Sequence, residues 1–104
     1  MKVAMAQINA TVGDINGNIA KIKSYLKLAS VQLVDVVAFP ELAVTGYPPQ
    51  DLLYEKEFVK TNKESLLKLV EENKEKEIVG IVGFVDYEDE ILYNAAAVFK
   101  GNKL

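Results

Sequence analysis

The run Ile78 to Val85 (IVGIVGFV) holds no charged or hydrogen-bonding side chain in eight residues. Its β-branched and aromatic residues suit a strand, and it is too short for a buried helix. A strand with one wet face alternates apolar and polar residues. This one does not, so it is expected to be covered on both faces. Charged segments frame it, NKEKE (73–77) before and DYEDE (86–90) after. The first reads as a solvated helix end and the second as a hairpin tip in water. Gly80 and Gly83 do not make a phosphate-binding fingerprint, because no helix-opening glycine turn follows. They are expected to allow close backbone packing.

The rest of the chain supplies partners for this strand. Val3 to Ile8 is apolar almost throughout and predicts another central strand, buried on both faces. Gln7 and Asn9 interrupt it near its end and are expected to hydrogen-bond the neighbouring loop backbone. Gly13-Asp14 marks a turn, with Asp14 or Asn16 placed to cap a helix. From Gly17 to Leu33, residues Ile19, Ile22, Leu26, Ala29 and Leu33 recur at helical spacing and mark one apolar face. Lys21, Lys23 and Lys27 lie mostly off that face and read as solvated surface. Val34 to Phe39 predicts a second strand, and Asp51 is placed to cap a short helix through Tyr54. A longer helix over 57–76 would bury Val59, Leu66, Leu67, Leu69 and Val70. On its wet side Glu64 and Lys68 form an i, i+4 pair in the favourable order. Leu92 to Lys100 is a further strand, Gly101-Asn102 a turn, and Lys103 the start of a fifth strand. The order β-α-β-α-β-β predicts an α/β layered fold. A chain of 104 residues, 50% apolar and 26% charged, is one domain or part of one, with one modest core.

Composition removes several kinds of chemistry. There is no cysteine and no histidine. Disulfides, thiolate metal sites, a cysteine nucleophile and a Ser-His pair are therefore absent from these residues. The net charge is -3 and no basic stripe carries interleaved aromatics, so no nucleic-acid partner is expected. The acids at 86–90 lack the spacing of a calcium loop. MKVAMAQINA lacks the long apolar stretch of a signal peptide, and no run reaches membrane-spanning length. A cytoplasmic location with no membrane partner is the default expectation.

The chemistry that remains gathers at Val34 to Leu53, VDVVAFPELAVTGYPPQDLL. The apolar run stops at Pro40, which has no N–H to continue a ladder. Glu41 follows at once, at the carboxyl end of a core strand, which is the edge where open α/β sheets bind ligands. An acid between a strand end and a rigid Gly-Tyr-Pro-Pro loop is held in place, as a general base must be. A solvated loop acid is the competing reading. Tyr47, six residues on, either packs its ring on the prolines or walls a substrate pocket beside Glu41.

Residues 39–53, FPELAVTGYPPQDLL, resemble the catalytic-glutamate segment of the nitrilase (carbon–nitrogen hydrolase) superfamily. AQINATVGDINGNIAKI (6–22) and LYNAAAVFKGNKL (92–104) agree with it. The tail of the first segment is most similar to the glutaminase domain of glutamine-dependent NAD synthetases. The resemblance covers the whole chain, while the chain covers only the first part of such a domain. It implies the N-terminal portion of a four-layer α-β-β-α sandwich. Hydrophobic patterning by itself supports only α/β layers.

The resemblance also implies a Glu-Lys-Cys mechanism. Glutamate takes the thiol proton, cysteine attacks the amide carbon, lysine stabilises the oxyanion, and water releases the acid from a thioester. In the synthetase branch the small amide is glutamine, and its ammonia passes to a separate domain that uses ATP and magnesium. Only Glu41 maps onto this chain, as general base. The family's lysine is expected just past Leu104, and Lys103 does not take its place. The chain by itself is therefore expected to hydrolyse no amide and to hold no cofactor. Three readings stay open: the N-terminal piece of a glutaminase domain, a free-standing half-fold that binds or oligomerises, and an unrelated flavodoxin-sized domain with a ligand near Glu41. A half-sandwich exposes an apolar sheet face, so a homo-oligomer is expected.

Overall fold

A computed structural model describes all 104 residues. The elements run β1 (Val3–Met5), α1 (Ile15–Val31), β2 (Val36–Ala38), a 3-10 turn (Gln50–Tyr54), α2 (Lys56–Glu71), β3 (Val79–Glu88) and β4 (Ile91–Lys100). They form one sheet in the order β1-β2-β3-β4, with the first two pairings parallel and the last antiparallel. Both crossover helices pack on the same face of the sheet, against each other and against one core. One core joins them to the sheet, with Ile22, Leu26 and Ala29 from α1, Leu66, Leu69 and Val70 from α2, and Val37, Val82, Phe84 and Phe99 from the strands. Gly80 belongs to this face because Phe99 lies over it. A Cβ there would stand 2.5 Å from the ring.

The opposite face corrects the expectation of double burial. Residues in register share a face of the sheet. One row is Val3, Val36 and Val79, and the next is Met5, Ala38, Ile81 and Val98. No helix lies over these rows. Val3 is 59%, Met5 74% and Val98 55% exposed. β1 is an edge strand, not a central one, since only β2 pairs with it. In β3, Val79 and Ile81 are half-buried. Apolar composition reported that these faces avoid water, not what covers them.

Smaller differences have local causes. Asp14 does cap α1, accepting from the Gly17 N–H at 3.0 Å. α1 ends at Val31, and Leu33 turns outward with φ 58, exposed beyond the helix, while Ile19 is only half-buried. α2 stops at Glu71, so NKEKE is not a helix end. The Asn73 side chain donates instead to Gly101 O at 2.7 Å and accepts from Glu75 N at 3.2 Å, which fixes the departing chain. Leu67 is exposed, and Glu64 and Lys68 form no ion pair. Asp51 sits inside the 3-10 turn, whose cap position is Pro49. The side chains of Gln7 and Asn9 are exposed; only the Asn9 carbonyl is engaged, by Lys21 Nζ. Lys103 makes one isolated bridge to Lys100 and starts no strand.

Candidate active site

β2 hands the chain to the Glu41 loop in a few steps. The Phe39 N–H still donates to Ile81 O at 2.9 Å. Pro40 has no donor, and the ladder ends there. Residues 41–45 form a turn closed by Gly46 N donating to Leu42 O at 2.9 Å. Leu42 takes a left-handed conformation, φ 49. That geometry opposes the Cβ of a non-glycine residue. Burial of its side chain against Val59 and Val85 offsets the cost. Ala43 and Val44 enter the main core, and Thr45 Oγ1 donates to Gly46 O at 3.0 Å.

Two further segments clamp the loop. Asn18, fully buried in α1, donates through Nδ2 to Thr11 O at 2.8 Å and to Val44 O at 3.0 Å. Its Oδ1 accepts from Thr11 N at 2.8 Å. On the other side β3 passes directly under the loop, and Val44 N donates to Gly83 O at 3.2 Å. Gly83 is needed for that approach, because a Cβ there would stand 2.6 Å from Leu42 N and 2.8 Å from Pro40 O. The close backbone packing expected of Gly83 is thus observed.

Residues 42–46 are all buried, while Glu41 is exposed. Its carboxylate accepts through Oε2 from Asn94 Nδ2 on β4. Asn94 stands opposite Val85 in the hairpin register. Val85 itself lies beyond the reach of β2, which pairs no further than Ile81. Asn62 of α2 supplies the missing partners. Its Nδ2 donates to Val85 O at 2.7 Å and to Val59 O at 2.7 Å, and its Oδ1 accepts from Val85 N at 3.0 Å. Beside it Lys63 Nζ lies 2.8 Å from Asp86 Oδ1 and 4.9 Å from the Tyr87 ring centroid. The hydrogen bond from Lys63 holds the Asp86 carboxyl below its ordinary range, and the same bond raises Lys63 above its own.

The sequence placed Glu41 correctly at the end of β2. Tyr47 is 63% exposed, and its hydroxyl bonds to no group in the chain. Asn94, Asn62 and Asn18 were missed as site residues, although Asn18 and Asn62 fall in helical phase with their apolar neighbours. The acidic run disperses, since Asp86 turns to Lys63 while Glu88, Asp89 and Glu90 face solvent. No group of three His, Cys, Asp or Glu side chains is placed to hold a metal ion. A surface hollow between Lys23, Glu72, Lys74 and Lys76 does not include Glu41. No helix is long and apolar enough to cross a membrane.

The sequence pattern that defines the carbon-nitrogen hydrolases matches residues 2–104. The chain belongs to the carbon–nitrogen hydrolase family. Among curated members, it is 38% identical over 104 residues to the glutamine-dependent NAD(+) synthetase of Thermotoga maritima, spanning 100% of this chain and 18% of that protein. The Aquifex aeolicus synthetase is 37% identical over 98 residues, covering 94% of this chain and 17% of that one. The chain thus spans less than a fifth of the length of these relatives. Of solved structures, the glutamine-dependent NAD+ synthetase from Acinetobacter baumannii, in complex with ADP, superposes with TM-score 0.89 at 34% identity, covering 98% of this chain and 19% of that one. A carbon–nitrogen hydrolase fold is also shared with an amidase from Nesterenkonia sp. AN1, at TM-score 0.81 and 22% identity, over 98% of this chain and 39% of that one. The α/β layer seen here, with helices on one face and a bare apolar face opposite, is the part of that fold which these residues cover.

Proposed function

We propose that residues 1–104 are the glutamate-bearing part of a glutamine amidase that supplies ammonia for NAD synthesis. The observation that carries this is the identity of 38% across the whole chain with a glutamine-dependent synthetase. In this reading Glu41 is the general base. It takes the thiol proton from a cysteine that these residues lack, and a lysine outside them steadies the oxyanion. Tyr47 walls the amide pocket. Residues 1–104 form a partial domain, ending before the lysine and cysteine segments. ATP and magnesium serve a separate domain, and the reaction is cytoplasmic.

The test is made on the protein as cells produce it. Material captured with an antibody against residues 1–104 is expected to release ammonia from glutamine. Glu41→Gln introduced at the native locus should lower that rate by about 10²- to 10⁴-fold, the usual contribution of a positioned base. The isolated 104-residue chain should show no activity. Ammonia release that survives Glu41→Gln would refute the assignment.

The bare sheet face favours a second reading, in which this chain associates through it as a binding or oligomerisation module. Val3, Met5 and Val98 there are more than half exposed, and such patches mark interaction surfaces. Sedimentation of the purified chain is expected to show self-association, reversed by Met5→Lys together with Val98→Lys. A clean monomer at the highest concentrations would exclude it.

A further inference from the structure

We infer that Asn94 is a positioning residue for Glu41. It occupies Oε2 of the carboxylate and leaves Oε1 to receive the proton. The inference rests on the reading of Glu41 as base. Asn94 Nδ2 donates to Glu41 Oε2, and Oε1 accepts from no group in the chain. The two residues lie 53 apart in sequence, so the contact is made by topology. Three features converge on it. The β3–β4 register sets Asn94 opposite Val85. Asn62 holds both backbone groups of Val85. Gly83, two residues earlier, lets the backbone at Pro40–Leu42 lie against the same strand.

The chemistry suits a base. A flexible, exposed glutamate samples many rotamers, and a fixed donor on one oxygen removes that freedom before reaction. A neutral amide does so without cancelling the negative charge. A lysine or arginine in its place would form an ion pair and hold the carboxylate away from a proton. Lys63 of α2, whose ammonium reaches the β3–β4 hairpin, is already taken by Asp86.

Side-chain order of Glu41 reads this role directly in the 104-residue chain by NMR. Wild type is expected to show three-bond couplings of one dominant Glu41 rotamer, and a contact between the Asn94 amide protons and the Glu41 side chain. Asn94→Ala and the isosteric Asn94→Asp should collapse those couplings to rotamer averages and move the Glu41 carboxyl ¹³C signal. Asn94→Gln, which keeps the donor, should restore part of both. Asn94 is exposed, so the backbone spectrum away from residues 41 and 94 should not change. Averaged couplings already in wild type, or couplings unchanged in the Ala and Asp variants, would overturn the inference. The readout needs no nucleophile. Failure of the base assignment appears separately, in the Glu41→Gln assay, and leaves this result standing.

Discussion

Gly46→Ala is expected to lower the thermal midpoint of the chain by ~15 °C or more, or to abolish the cooperative transition. Gly46 has φ +82, and a Cβ built on it would stand 2.6 Å from Val12 Cα, 2.7 Å from Val12 N and 2.8 Å from Thr11 C. All three are backbone atoms, which cannot rotate aside. The left-handed conformation alone costs about 1–2 kcal/mol for a residue with a Cβ. Forcing apart a packed contact adds about 1–3 kcal/mol. The movement would also pull on the Asn18 bonds to Thr11 and Val44, and on the 2.9 Å bond from Gly13 N to Thr45 O. Small domains have only about 5–15 kcal/mol to lose. Unfolding followed by far-ultraviolet circular dichroism decides the matter. A midpoint within a few degrees of wild type would show that the two loops do not meet as described.

Asn62→Leu, which keeps the branched shape but loses every hydrogen-bonding atom, should destabilise the chain by about 2–5 kcal/mol. Asn62 is fully buried and serves Val85 N, Val85 O and Val59 O. Leucine removes the only partners that Val85 has on that side of the strand. Each buried backbone group left unpaired costs about 1–3 kcal/mol. Asn62→Asp keeps an acceptor for Val85 N but turns an oxygen toward Val85 O, so it should be no better than leucine at neutral pH. Urea titration gives the size of the loss. Hydrogen exchange gives its place, because the Val85 amide should lose protection before the rest of β3. A loss below about 1 kcal/mol, with Val85 still protected, would contradict the role given to this amide.

The parts legible in the sequence were those set by near neighbours. Strand, helix and turn order followed from hydrophobic spacing. Pro40 ended β2 and Asp14 capped α1 because those effects act within a few residues. Gly83 was legible as a close approach, though not as an approach of the Glu41 loop. The buried asparagines were missed for a definite reason. Periodicity searches count apolar residues, and Asn18 fills the same helical phase as Ile15, Ile22 and Leu26. Asn62 does so with Val59, Leu66 and Leu69. A polar residue in the phase of the core is the signal that was available. Asn94 left no such trace, since its partner is fixed by strand order. Leu33 and Leu67 failed in the other direction: they have the right spacing but lie past a helix end or at the rim.

The Glu41 turn, with one exposed residue followed by five buried ones, separates two kinds of evolutionary constraint. Substitutions at 42–46 are judged by folding, whatever the protein does. Position 41 bears almost no weight in the fold. On the proposed reading the acid found there answers to chemistry rather than to folding, and a copy of this domain without that reaction could exchange Glu41 and still fold.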